Sequence, residues 1–214
     1  MNDCKNVVAV LDTFDGFGHE MQPQDLAATW NRIGKLAGMS HRDRLWLRRN
    51  PKALSPLLER TQGMMDRFPA RPLANTTHAM AKIGSKTGWR PERSVWEALA
   101  EAAVPRLKHL VPQALSNTAW AFATANHQVP ALFDAVAEAA VPRLGEFKPQ
   151  HFSNTAWAYA TANHEAPALF DAVAEAAVPR LGEFNPQNLS NMAWAFAVFD
   201  RACPLEAQGS SGGS

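Results

Sequence analysis

Thirty-seven residues, Pro112–Lys148, are followed at once by a second run of 37, Pro149–Asn185. The two runs differ only at Ala114/His151, Leu115/Phe152, Phe122/Tyr159, Gln128/Glu165, Val129/Ala166 and Lys148/Asn185. A third copy opens PQNLSNMAWAF at Pro186 and continues to about Pro204. Repetition at this period marks stacked supersecondary units, each too small to bury its own apolar face and each covering its neighbour.

Looser copies lie upstream. PLANTTHAMAKIG (Pro72–Gly84) aligns if Leu73 matches Leu115, and PQDLAATWNRIGKL (Pro23–Leu36) aligns through Leu26. The anchors Leu26, Leu73, Leu115, Phe152 and Leu189 are spaced 47, 42, 37 and 37 residues apart. Insertions therefore fall near Ser40–Pro51 and Ser85–Glu92. The organisation expected is an extension over 1–22, repeats over 23–207 (degenerate at 23–70 and 71–111, tight at 112–148 and 149–185, partial at 186–204) and a linker-like tail over 208–214.

Each unit contains two helical segments. The first opens with Pro-Gln, and proline suits a first turn whose N–H has no partner. It is expected to run to about Asn126, where NHQVP stops it, because a residue before proline avoids the helical region. The second, PALFDAVAEAAVPRL, carries Pro142 in its last turn. That proline removes a backbone hydrogen bond and predicts a kink or an early end, with Leu144 and Phe147 closing over the core. The fold class expected is all-α, an α-solenoid of helix-turn-helix repeats of about 37 residues. Because the copy at Pro186 stops before its second helix, truncation is expected, with Trp194 and Phe196 partly exposed.

A helix advances about 100° per residue. With Leu115 at zero, Ala119, Phe122, Ala123 and Asn126 form the core stripe, and Trp120, at about 140°, flanks it as contact with the next repeat. Opposite the core fall Thr124, Asn117 and Ala121. Through the repeats the Asn117 position reads Ala28, Asn75, Asn117, Asn154, Asn191; the Thr124 position reads Lys35, Lys82, Thr124, Thr161, Val198; and the Ala121 position reads Arg32, Ala79, Ala121, Ala158, Ala195. An amide both donates and accepts and can read a base edge, lysine and arginine suit phosphate, and small alanines would let a strand lie close. Solenoids that read single-stranded RNA use two or three such side chains per repeat. The asparagines can equally cap their helices or bond an adjacent loop. An armadillo- or HEAT-like protein scaffold, its asparagines clamping a peptide backbone, is the alternative.

Charge is uneven. Residues 1–111 hold 17 Lys+Arg against 11 Asp+Glu, and residues 112–214 hold 4 against 9, which together give the net +1. A polyanion is drawn to the first half. Its most basic segment, HRDRLWLRRNPK (His41–Lys52), offers Arg48 and Arg49 beside Trp46, a combination that can grip phosphate and stack a base. It can also pack Leu45, Trp46 and Leu47 inward and leave its charges in water. His127 and His164 recur at a turn and read as satisfied by backbone, while Asp134/Glu138 and Asp171/Glu175 read as a solvated convex face.

Other chemistry finds no motif. Cys4 and Cys203 have no partner spacing, and no GxGxxG, P-loop, HExxH or nucleophile elbow occurs. Neither enzyme activity, a metal nor a cofactor is expected. No run of 18 apolar residues calls for a membrane partner. The N-terminal stretch, with three aspartates and no arginine before Arg32, lacks the character of a basic leader.

LSNTAWAFAT followed by LFDAVAEAAVPRLGEFNPQ resembles the octotricopeptide and heptatricopeptide repeat proteins of algae and related protists, which are similar to the repeat region of FAST-kinase-like and RAP-domain proteins. The resemblance is tight over Pro112–Phe199 and loose over Pro23–Leu107. It implies an α-solenoid that binds organellar RNA in a chloroplast or mitochondrion and acts in transcript stability, processing or translation. It places base-reading positions near Ser116–Thr118, Ser153–Thr155 and Ser190–Met192. Together with the columns above, the candidate RNA contacts are Asn75, Asn117, Asn154, Asn191, Thr124, Thr161, Lys35, Lys82, Arg32, Arg48 and Arg49.

Overall fold

The computed structural model describes residues 5–202, so Cys4, Cys203 and the Gly209–Ser214 tail lie outside the described residues. Within them all regular structure is helical. Five long helices share the repeat anchor: α2 (Pro23–Met39), α5 (Ala70–Thr87), α7 (Pro112–Thr124), α9 (Pro149–Ala162) and α11 (Pro186–Ala202). Four of the five begin on proline; α5 begins two residues ahead of its Pro72. They pack in sequence order, α2 on α5, α5 on α7, α7 on α9 and α9 on α11.

The second segments are α6 (Arg93–Ala103), α8 (Pro130–Ala140) and α10 (Pro167–Ala177), each continued by a 3-10 turn through its VPRL sequence. Pro142 thus ends α8 early, as expected, and the tighter turn carries Leu144 and Phe147 into the core. The arginine of VPRL has a role that the sequence did not disclose. Arg143 donates to the Leu110 carbonyl at 2.6 Å, Arg180 to the Phe147 carbonyl at 2.9 Å, and Arg106 to the Phe68 carbonyl at 3.2 Å. Each ties its repeat to the loop of the one before. Arg143 and Arg180 also grip Glu146 and Glu183 through both ends of the guanidinium fork.

The first insertion is an added helix, α3 (His41–Arg49), followed by α4 (Ser55–Gln62). The helix preceding the row, α1 (Val7–Phe17), packs on α2 and buries Val7, Val10, Leu11 and Phe14. The buried Asp43 carboxylate of α3 accepts the Val7 N–H at 3.0 Å, satisfying one of the orphan donors that open α1. The second insertion lengthens α5 to Thr87, where Gly88, at φ 78°, closes the helix.

Asparagine ends the repeat helices earlier than proline would. α7 stops at Thr124, and Asn126 adopts φ 59°, with Asn163 at φ 50° in the next repeat. Asparagine tolerates this left-handed conformation better than most residues. It lets the His127 and His164 N–H groups bond back to the Phe122 and Tyr159 carbonyls. Four anchors, Leu26, Leu73, Leu115 and Phe152, are buried, but Leu189 is 39% exposed. α11 has α9 on one side and, among the described residues, no helix on the other.

Candidate functional site

A helix in the middle of this row is covered on three sides: by the second-segment helices beneath and by a neighbour on each flank. What remains open on α7 is one narrow stripe, Gln113, Asn117, Trp120 and Thr124, spaced four, three and four residues apart. The same stripe runs along α9 as Gln150, Asn154, Trp157 and Thr161, and along α11 as Gln187, Asn191, Trp194 and Val198. On α5 it reads Arg71, Asn75, His78 and Lys82, and on α2 Gln24, Ala28, Asn31 and Lys35.

The structure brings the four asparagines together on this surface. Each is half-buried, and Asn75, Asn117 and Asn154 make no side-chain hydrogen bond among the described residues. Asn191 accepts one from Gln187 at 2.8 Å. They are not caps, because each lies five residues into its helix, Asn75 in α5 from Ala70 and the other three in helices that begin at Pro112, Pro149 and Pro186.

The alanine column does not lie on the open face. Ala79, Ala121, Ala158 and Ala195 are all buried. Seen on one isolated helix they face away from the core; in the row that direction belongs to the neighbouring helix. A Cβ placed on Gly34 of α2 would stand 3.5 Å from Ala79 of α5, so these small residues let helix approach helix, not strand approach protein. Arg32 shares this column. It sits two residues, about 200°, from Gly34, so it projects from the side of α2 turned away from α5.

Thr124 and Thr161 belong to the stripe, but their hydroxyl oxygens are sealed from solvent and have no hydrogen-bond partner. They are therefore not presented as the sequence suggested. Lys35 and Lys82 do share one groove. Arg48, exposed on α3, donates to the Lys86 carbonyl at the end of α5 at 3.2 Å, and Arg49 is exposed on the same helix. Neither arginine lines that groove.

Sequence reasoning gave the tryptophans only the packing part of their role. His78 and Trp120 rings lie 5.1 Å apart, Trp120 and Trp157 6.4 Å, and Trp157 and Trp194 6.5 Å. This is the inter-repeat contact expected of them, and it is also an aromatic line crossing the open surface, with Trp194 46% exposed. The helical wheel held the signal, since Trp120 at about 140° and Gln113 at about 160° sit closer to the centre of the stripe than Ala121 does.

The turn histidines are structural. His127 stacks on Trp96 at 5.3 Å and His164 on Phe133 at 5.3 Å, with His164 Nε2 2.8 Å from Asp134. Burial, reinforced by Arg93, lowers the His127 pKa. In the stripe, burial and then the Lys82 ammonium hold His78 down at about 4, so its imidazole is neutral at pH 7. No group of three or more metal-ligating side chains occurs among the described residues, and no helix there is long and apolar enough to cross a membrane. Neither a protein-family model nor a curated protein matches this sequence.

Proposed function

We propose that the five-helix row is an α-solenoid that binds single-stranded RNA along its open stripe. The observation that carries the reading is the set of half-exposed asparagine amides, three of the four without protein partners, placed beside an aromatic line. Amides supply the donor–acceptor pairs that distinguish bases, and ring faces or edges take bases without regard to sequence. The lysines at the α2–α5 end supply attraction for phosphate. The octotricopeptide-like repeat sequence points the same way and suggests organellar transcripts as the targets. One observation favours a peptide-binding scaffold instead: the stripe from α7 to α11 carries no charged side chain.

Binding of short RNA pools by fluorescence anisotropy, over a range of salt, tests the reading. Preference among pools is expected, and the triple variant N117A/N154A/N191A should lose it while keeping the wild-type unfolding midpoint. Indiscriminate, micromolar-or-weaker binding to every pool at low salt would overturn it. Saturable binding to a peptide library, lost in the same triple variant, would hand the stripe to the scaffold reading.

A further inference from the structure

The open stripe changes character at its α2–α5 end. There a groove of about 510 Å³ separates the two helices, within the range of small-molecule clefts. Its floor is open because Gly34 and Gly38 contribute no side chain. A Cβ on Gly38 would meet Lys82 Cε at 3.3 Å and Nζ at 3.7 Å, so the Lys82 chain lies across that glycine. Lys35, Lys82 and Lys86 line the groove, together with the Asn31 amide and the His78 imidazole.

No carboxylate lines it. None of the three lysines is in an ion pair among the described residues. Lys82 and Lys86 are four residues apart on one helix face, a like-charge spacing that disfavours the helix, and Lys35 faces them from α2. The molecule thus holds three ammonium groups in one concavity with nothing anionic to offset them. Elsewhere in the row the Lys82 position is Thr124, Thr161 or Val198, so the arrangement belongs to this groove alone among the five helices.

We propose that the groove between α2 and α5 is a phosphate pocket, in which Lys35, Lys82 and Lys86 neutralise the anion and Asn31 and His78 lend hydrogen bonds. This rests on the single-strand reading for the source of the phosphate, which is either a backbone phosphodiester or a phosphorylated strand end. The strand is then anchored by charge at this end of the row and contacted by uncharged side chains along α7, α9 and α11. The charged groups lining the groove with His78 are the three lysines, all positive. An occupying phosphate therefore reverses the local field and raises the His78 pKa.

The test follows His78 by NMR on the full chain during titration with inorganic pyrophosphate, alongside anisotropy with one oligonucleotide carrying either a 5′-hydroxyl or a 5′-phosphate. Two variants are compared: K35Q/K82Q/K86Q, which removes the charge, and G38L, which fills the groove and keeps the charge. Saturable movement of the His78 resonances, weakened at least tenfold in both variants, is expected. One backbone phosphodiester neutralised in the pocket contributes about −0.7 to the log–log salt slope for a single strand, and the triple variant should remove that contribution. A preference for the 5′-phosphate, lost in the triple variant, identifies a strand end; equal affinity with the same loss of slope identifies the backbone. Oligonucleotides that still bind with an unchanged slope in the triple variant, while pyrophosphate leaves His78 unmoved, overturn the pocket and leave the single-strand reading standing. Pyrophosphate binding without any oligonucleotide binding does the reverse.

Discussion

Replacing Ala158 by leucine asks directly whether the alanine column is interface or open surface. Ala158 is fully buried at the contact between α9 and its neighbours. The room available is read from the equivalent contact at the other end of the row, where a Cβ on Gly34 stands at ordinary van der Waals distance, 3.5 Å, from the Ala79 Cα, Cβ and carbonyl oxygen. Where one added β-carbon already reaches van der Waals contact, there is no space for three more carbons. Overpacking of this kind costs about 1–3 kcal/mol. For a chain of this length that lowers Tm by roughly 2–4 °C per kcal/mol, so A158L should melt roughly 2–12 °C below the parent, and A121L likewise. Leucine is nearly as good a helix former as alanine, so propensity does not mask the effect. Far-UV circular dichroism and tryptophan fluorescence provide two probes, the second sensitive to Trp120 and Trp157 beside the contact. On an exposed face the same change would stay within about 0.5 kcal/mol. A Tm for A158L within about 1 °C of the parent would refute the packed-row argument and return the alanine column to the ligand.

Three further outcomes are expected. Because burial and Lys82 hold His78 near 4 against an ordinary 6.5, the unfolded chain takes up a proton first as pH falls; stability should be full above pH 6.5, drop by about 3 kcal/mol between 6.5 and 4 and then level off, and H78Q should flatten that part of a urea-midpoint profile. The sealed, unpartnered hydroxyls of Thr124 and Thr161 make T124V and T161V stabilising by about 1 kcal/mol each in denaturant melts, with RNA affinity unchanged. Arg143→Ala and Arg180→Ala should each lower Tm by releasing the carbonyls of Leu110 and Phe147, and lysine should not rescue either, since one ammonium cannot hold a carbonyl and both oxygens of a neighbouring carboxylate as the guanidinium fork does.

What could be read beforehand was whatever a single repeat determines by itself. Proline marks the starts of α7, α9 and α11, VPRL ends the second helices, and the irregular spacing of anchors announces α3 as an insertion. What could not be read depends on neighbours. Ala121 looks exposed on a helical wheel because a wheel has one helix on it, whereas a row adds two flanking contacts and leaves a strip only about 60° wide between Trp120 and Asn117. The same omission hid the reach of Arg143 to a carbonyl 33 residues earlier and the second role of the tryptophans, which pack on each other and face outward. The sealed hydroxyls of Thr124 and Thr161 also depend on how the flanking helices cover them, which no spacing rule within one helix contains.

The six differences between the tight repeats separate scaffold from surface. Leu115/Phe152 and Phe122/Tyr159 are core positions; the Tyr159 hydroxyl enters the interior and bonds the Phe133 carbonyl, with burial raising its pKa. Ala114/His151 and Lys148/Asn185 fall at helix starts, where His151 Nδ1 accepts the Lys148 N–H at 3.2 Å and Asn185 accepts the Asn188 N–H at 2.8 Å. Gln128/Glu165 and Val129/Ala166 fall in the turn between helices. Every one of the six leaves Gln, Asn, Trp and Thr of the stripe untouched. The interior of each unit has therefore been adjusted to its neighbours while its open face is the same in both. On the single-strand reading, a ligand lying across α7 and α9 meets the same chemistry twice and its adjacent bases there are read alike, while the charged groove at the α2–α5 end fixes where the strand is anchored.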